Sequence, residues 1–193
     1  MRNENAVIYI IRHGKTALNQ ANVLQGRSNS PLNEEGMRQA EAAAARLRGV
    51  AFDHVFTSPL LRAIQTAEIA VPGCRYRIDD RLIEMDYGPY EGTDLKNPPP
   101  ELLHFFSDFV RNPAPAGMEP LQSVTARAGD FLEDIRKVSG NILISTHAIA
   151  MKGLLEYLTP EAKGSYWSTY IGNCAVYVVE NNEGRYSVPR EMQ

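Results

Sequence analysis

Cysteine is scarce: Cys74 and Cys174 are the only two in 193 residues. Their spacing fits neither a C-x-x-C redox pair nor a zinc site, and two cysteines do not make the disulfide framework of a small secreted scaffold. A reducing, cytoplasmic setting is therefore expected. An excess of either charge sign is also missing, since 20 Lys and Arg against 23 Asp and Glu leave a formal net charge of -3. Neither a nucleic acid nor a membrane surface is then an expected partner. No apolar run approaches the roughly 20 residues of a membrane span. The opening MRNEN leads directly into a short apolar stretch, without the long apolar core and cleavage site of a secretory leader. Any anion this chain handles must be held locally, by a few placed cations.

A hydrophobic content of 44% with 22% charged residues is that of a globular protein long enough to enclose a core. One domain spanning 1–193 is expected, with 93–120 as a short lid. AVIYII (6–11) is rich in Val and Ile without alternation, the pattern of a strand covered on both faces. NEEGMRQAEAAAARLRG, from Asn33, has acids in its first turn, helix formers through its middle and Gly49 as a stop, which predicts a helix of about four turns. DHVFT (53–57) reads as a second strand. The next helix is predicted to start with Ser58 as N-cap and Pro59 as its first residue, and to end before Pro72 and Gly73.

RYRI (75–78) is a third strand candidate, and QANVLQGRSNSP and RLIEMDYGPYEG read as loops. ELLHFFSDFV, LQSVTARAGDFLEDIRKV and AIAMKGLLEYL have helical spacing, NILIST (141–146) is another buried strand, and CAVYVVE with RYSV makes a closing hairpin. Strands alternating with helices predict an α/β three-layer sandwich with a mostly parallel central sheet and helices on both faces.

Sites in such sheets lie beyond the carboxyl ends of the strands. The residues found there are Arg12 and His13 after the first strand, Ser58 and Arg62 after the second, and His147 after NILIST. Arg62 falls in a first helical turn, where the helix dipole disfavours a cation unless an anion is near. The start of the helix after His147 offers free N–H groups to an anion. Arginine forks match phosphate or carboxylate oxygens, and a neutral imidazole can attack phosphorus. Each piece alone has an ordinary packing explanation; their common placement points to a phosphoryl-transfer pocket.

Five ordered segments then resemble one family. IIRHGKTALN looks like the RHG signature of the histidine phosphatase, or phosphoglycerate-mutase-like, superfamily, followed by Thr16 and Asn19. LQGRSNSPLNEEGMRQA, TSPLLRAIQTAE, LIEMDYGPYEG and ISTHAIAMKGLL resemble its next loop and helix, its second-arginine segment, its acid loop and its second-histidine segment. The acid loop is similar to that of alpha-ribazole phosphatases in the small bacterial branch.

The resemblance implies His13 as the nucleophile that becomes phosphohistidine, with Arg12, Arg62 and His147 around the phosphoryl oxygens and Glu84 as proton donor. Asp86 and Glu91 are nearby alternatives for that acid, each with a more ordinary role in holding the loop. Asn19, Gln25 and Gly26 match substrate-side positions, and Ala148 stands for the backbone contact beside the second histidine. There the usual Ser and Gly neighbours are replaced by Thr146 and Ala148. The later GES-like segment reads Gly117, Met118, Glu119, Pro120, in which proline removes an N–H and a hydroxyl.

No metal and no cofactor are implied, because side chains supply the positive charge and histidines 13, 54, 104 and 147 lack ligand spacing. His54 and His104 are expected to be structural or exposed. The expected partner is a small phosphorylated metabolite, and the oligomeric state is left open. A mutase in this family carries a longer lid and a tryptophan before the signature asparagine, whereas here 92–117 is short and Leu18 fills that place. A phosphatase is the expectation, a mutase the alternative, and a non-catalytic phosphate-binding module a third class.

Overall fold

In the computed structural model, which describes residues 5–193, strand β1 (Ala6–Arg12) divides its side chains between two apolar layers. Ile8 and Ile10 enter one, Tyr9 and Ile11 the other. Strands β2 (His54–Thr57) and β4 (Gly140–Thr146) divide likewise: Phe56, Ile142 and Ile144 join the first layer, Val55 and Leu143 the second. Such two-sided burial is what runs without alternation demand. Helices α5 (Leu121–Ile135) and α6 (Ala148–Leu158) close the first layer through Phe131, Leu132, Met151 and Leu155. Helices α2 (Glu34–Arg46) and α3 (Leu61–Ala70) close the second through Ala40, Ala43, Ala67 and Ala70.

Among the described residues the sheet has seven strands, in the order β3 (Arg77–Ile78), β2, β4, β1, β5 (Val176–Asn182) and β6 (Arg185–Tyr186), with β7 (Arg190–Glu191) also on β5. From β3 to β1 neighbours run parallel; β5 is antiparallel to β1, and β6 and β7 are antiparallel to β5. The architecture is the predicted α/β sandwich, its parallel block carried by the strands that matter for the site. Arg12 pairs with Thr146 and Thr57 with Ser145, so His13, Ser58 and His147 all lie one step beyond the same sheet edge.

Several predicted boundaries are corrected. Helix α3 starts at Leu61, not Pro59, and its N-cap is Leu60 without a side-chain bond. Ser58 Oγ instead accepts the Leu60 amide at 3.3 Å and faces His147, so its hydroxyl serves a turn before the helix. Arg62 remains in the first turn. RYRI pairs only at Arg77–Ile78, an exposed edge. The loop read from Gln20 begins inside a short helix, α1 (Ala17–Ala21), closed by a capping box between Thr16 and Asn19. The remaining helix, α4 (Pro100–Ser107), lies within 93–120 and packs Leu102 and Phe105 with Met118, Met85, Tyr87 and Ile149.

Among the described residues no helix is long and apolar enough to cross a membrane. The expectation of no leader rests on MRNEN, whose first four residues lie outside those described.

Candidate active site

His13 leaves β1 as a buried residue, 4% exposed, with its Nδ1 2.6 Å from the carbonyl oxygen of Gly14. A carbonyl only accepts, so Nδ1 carries the ring proton and Nε2 keeps its lone pair. Burial, reinforced by Arg62 and Arg12, holds the imidazole well below its ordinary value, so the ring is neutral at physiological pH. The loop is pinned: Asn173 Nδ2 donates to His13 O at 3.0 Å, and the Gly14 amide donates to Thr66 Oγ1 at 3.0 Å. Thr66 stands one turn after Arg62 and donates its own hydroxyl to Arg62 O at 2.7 Å.

Arg62 is fully buried, and burial pulls its guanidinium down to about 10. Its Nε donates to His13 Nε2 at 3.2 Å, while Nη1 and Nη2 donate to the carbonyls of Ser28 and Gly26, each at 2.6 Å. Arg12 extends to the carbonyl of Ile171, and its buried Nε has no partner among the described residues. His147, with no exposure, sits 5.1 Å from His13 between ring centres. Its Nε2 lies 2.7 Å from Ser58 Oγ, and its buried Nδ1 is likewise unpartnered. Burial first, then Arg62, His13 and Arg12, keep this ring neutral as well.

Glu84 is 3% exposed and closes the other side. Its Oε1 accepts the amides of Met85 at 2.8 Å and Ala150 at 3.0 Å, and its Oε2 accepts the amide of Ile149 at 3.2 Å. The anion expected at the start of α6 is thus a side chain of the protein itself. The first amide of that helix, at Ala148, is not engaged by it. The chain entering Glu84 is clamped from outside: Arg127 Nη1 donates to the carbonyls of Arg81 and Ile83 at 2.6 Å, and its Nε to Glu119 at 2.8 Å. Pro120 is the N-cap of α5, where a missing N–H costs nothing and the missing hydroxyl leaves that helix without a side-chain cap.

The structure brings Arg12, His13, Arg62, Glu84 and His147 together. Gln25 is 8% exposed; its Oε1 takes the Thr16 hydroxyl at 2.7 Å, which leaves Nε2 buried without a partner. Asn19 spends its Oδ1 on the Thr16 amide at 3.2 Å and so supports that loop. Gly26 borders the site through its carbonyl. His54 is half-buried on β2 and His104 exposed on α4, away from this group. Thr66 and Asn173 escaped the sequence reading; only Thr66, four residues after Arg62 on one helix face, left a periodic trace. Lys152, buried on α6 with Nζ 2.7 Å from Trp167 O and pulled down to about 8 by burial, left none. Among the described residues no three His, Cys, Asp or Glu side chains group to hold a metal ion. The arrangement presents cations and unpaired donors around one free imidazole nitrogen, a receptacle for a small oxyanion.

Comparison with known proteins gives the family and the fold. The family model described as the histidine phosphatase superfamily (branch 1) matches residues 8–191. A probable phosphoglycerate mutase GpmB of Yersinia pestis is 30% identical over 184 residues, covering 91% of this chain and 85% of that protein. A Hydrogenobacter thermophilus protein provisionally named phosphoserine phosphatase 2 is 28% identical over 176 residues, covering 88% and 86%. The same fold occurs in a crystallised histidine-to-alanine variant of phosphoserine phosphatase from Entamoeba histolytica in complex with phosphoserine, with a TM-score of 0.83, 23% identity and 97% of each chain covered.

Proposed function

The chain belongs to the histidine phosphatase superfamily, and from that premise we propose that it is a phosphomonoester hydrolase working through a phosphohistidine on His13. The observation that carries this reading is the unprotonated Nε2 of His13, which accepts from Arg62 Nε, together with the buried atoms Arg12 Nε, His147 Nδ1 and Gln25 Nε2, which have no partner among the described residues. Buried polar groups are normally paired, so these unpaired atoms on residues of the candidate site fit a phosphoryl group that supplies their partners. His147 serves as a donor when Nδ1 carries its proton and the Ser58 hydroxyl donates to Nε2.

In the first step His13 Nε2 bonds to phosphorus as the ester P–O bond breaks, and Glu84 gives a proton to the departing oxygen. In the second step water attacks phosphorus, the Glu84 carboxylate takes its proton, and the N–P electron pair returns to the imidazole. Glu84 Oε2, which accepts a single amide at 3.2 Å, is the oxygen for this role. Arg12 and Arg62 offset the charge on the phosphoryl oxygens, and at a buried site fixed donors of this kind count for far more than in water.

Relatives bear both phosphatase and mutase names, so the acceptor is argued from this chain. The segment 93–120 is short for a cap that must shield a phosphoenzyme from water, and Leu18 stands where family mutases carry tryptophan. On this reading the whole chain is one domain, 93–120 is its lid, and the substrate is a small phosphorylated metabolite met in the cytoplasm. The test is a screen of phosphomonoesters, including 3-phosphoglycerate, with acid-labile phosphoenzyme trapped in parallel and His13→Ala as control. Net phosphate release with a His13-dependent phosphoenzyme is expected. Rapid exchange between phosphoglycerates without net release would make it a mutase, and no phosphoenzyme with no turnover a binding module.

A further inference from the structure

The cation that faces the nucleophile is aimed by a loop, and the loop is aimed by one carboxylate. Both oxygens of Glu91 are taken by consecutive amides: Gly26 N lies 3.0 Å from Oε1 and 2.9 Å from Oε2, Ser28 N 3.2 Å from Oε1, and Arg27 N 3.3 Å from Oε2. With its oxygens committed to three backbone donors, Glu91 is not placed to act as the acid. Its hold has a geometric consequence. In a trans peptide the C=O of one residue points opposite to the N–H of the next. Turning the Arg27 amide toward Glu91 therefore turns the Gly26 carbonyl away from it, toward Arg62 Nη2 at 2.6 Å. Ser28 O receives Nη1 at 2.6 Å.

A guanidinium is planar, so once both Nη atoms are held, the direction of Nε is fixed. That direction is His13 Nε2, 3.2 Å away. The loop has no slack at its first residue: a Cβ on Gly26 would lie 2.6 Å from Glu91 Oε2, 2.6 Å from Met85 O and 2.7 Å from the Tyr87 ring.

We propose that Glu91 is a positioning residue for phosphoryl transfer, acting through the 26–28 loop to orient the Arg62 guanidinium against His13 and the bound oxyanion. The proposal rests on the reading of His13 and Arg62 given above, and its test separates the two. Glu91→Gln replaces one acceptor by an NH2 group facing amide donors, and Glu91→Asp keeps the charge but shortens the reach. Each is compared with wild type for p-nitrophenyl phosphate turnover, for the Kd of inorganic phosphate by calorimetry, and for the 15N shifts of the His13 ring.

Glu91→Gln is expected to lower kcat/KM by about 10- to 100-fold, a loss typical of small displacements of a catalytic group. It should also weaken phosphate binding and shift the His13 Nε2 resonance, with Glu91→Asp between it and wild type. In an Arg62→Lys background, which lacks the fork, the same substitution should cost no more than about twofold further, because positions acting through one another are not additive. An equal loss in both backgrounds, or unchanged His13 shifts and phosphate affinity, would overturn the proposal. If wild type turns over no ester, the phosphate and 15N measurements still decide the role of Glu91, while the hydrolase reading alone falls. If Glu91→Gln does not fold, Glu91→Asp carries the same comparison.

Discussion

Arg62 Nε donates to His13 Nε2 at 3.2 Å, on the one ring nitrogen that the Gly14 carbonyl leaves free. The same guanidinium thus faces the nitrogen proposed above as the nucleophile. Arg62 also helps to depress both imidazoles.

Arg62→Ala should therefore raise the titration midpoints of His13 and His147 toward the ordinary histidine range, read from 15N–1H spectra. Turnover of p-nitrophenyl phosphate should fall by about 10²- to 10³-fold, the usual cost of one preorganised donor at a developing anion. Unmoved histidine midpoints would mean that Arg62 is not the electrostatic partner described here.

Glu84→Gln should separate two roles of one side chain. Loss of the proton donor slows alkyl phosphates more than aryl phosphates, whose leaving groups need little protonation. The same change places an NH2 group among the amides of Met85, Ile149 and Ala150, so stability should drop by about 0.5–2 kcal/mol, as for a lost helix cap. Paired kinetics and urea unfolding check this; equal losses on both substrate types would remove Glu84 from the acid role.

Acid should weaken the fold through the two buried rings. Burial holds His13 and His147 well below the ordinary histidine value of about 6.5, so below that pH the unfolded chain binds protons that the native state does not. The stability they permit is present above the unfolded value and is lost as pH falls below it, by up to about 1.4 kcal/mol per pH unit for each ring until the native value is reached. Urea midpoints between pH 7 and 5 should fall steeply for the wild type and less steeply for His13→Gln. Identical slopes would show that His13 is already protonated in the native state.

Gly36→Ala should disturb the site from outside it. A Cβ there would drive into the carbonyl of Lys15, and one on Gly14 would lie 2.5 Å from Gly36 O. The loop after His13 thus docks on the first turn of α2 backbone against backbone. Overpacking of this kind costs about 1–3 kcal/mol, and a thermal scan should show the drop together with reduced phosphate affinity. A variant as stable and as tight as wild type would show that the loop has room to move.

Much of this was legible in the chain. The unbroken runs at 6–11 and 141–146 announce strands buried on both faces, and placement after strands singles out Arg12, His13, Arg62 and His147 from the sequence. The start of α3 was misplaced because Ser58 and Pro59 carry local helix-start chemistry, while the Ser58 hydroxyl is drawn into a turn facing His147 from 89 residues away. Helix α1 was missed because five residues are too few for periodicity to register. Asn173 acts through a single bond to the carbonyl of His13, 160 positions away, and leaves no pattern in its own neighbourhood.

By itself the sequence determined the class of fold, the order of its elements and the reactive residue types at strand ends, because apolar periodicity reports locally which faces are buried. Only the tertiary structure decided the tautomer of His13, the aim of Arg62 and the seating of Glu84 on the Ile149 and Ala150 amides of α6. Those depend on single hydrogen bonds, two of them between residues 49 and 66 positions apart, and pairings at such separations are settled by how the layers pack.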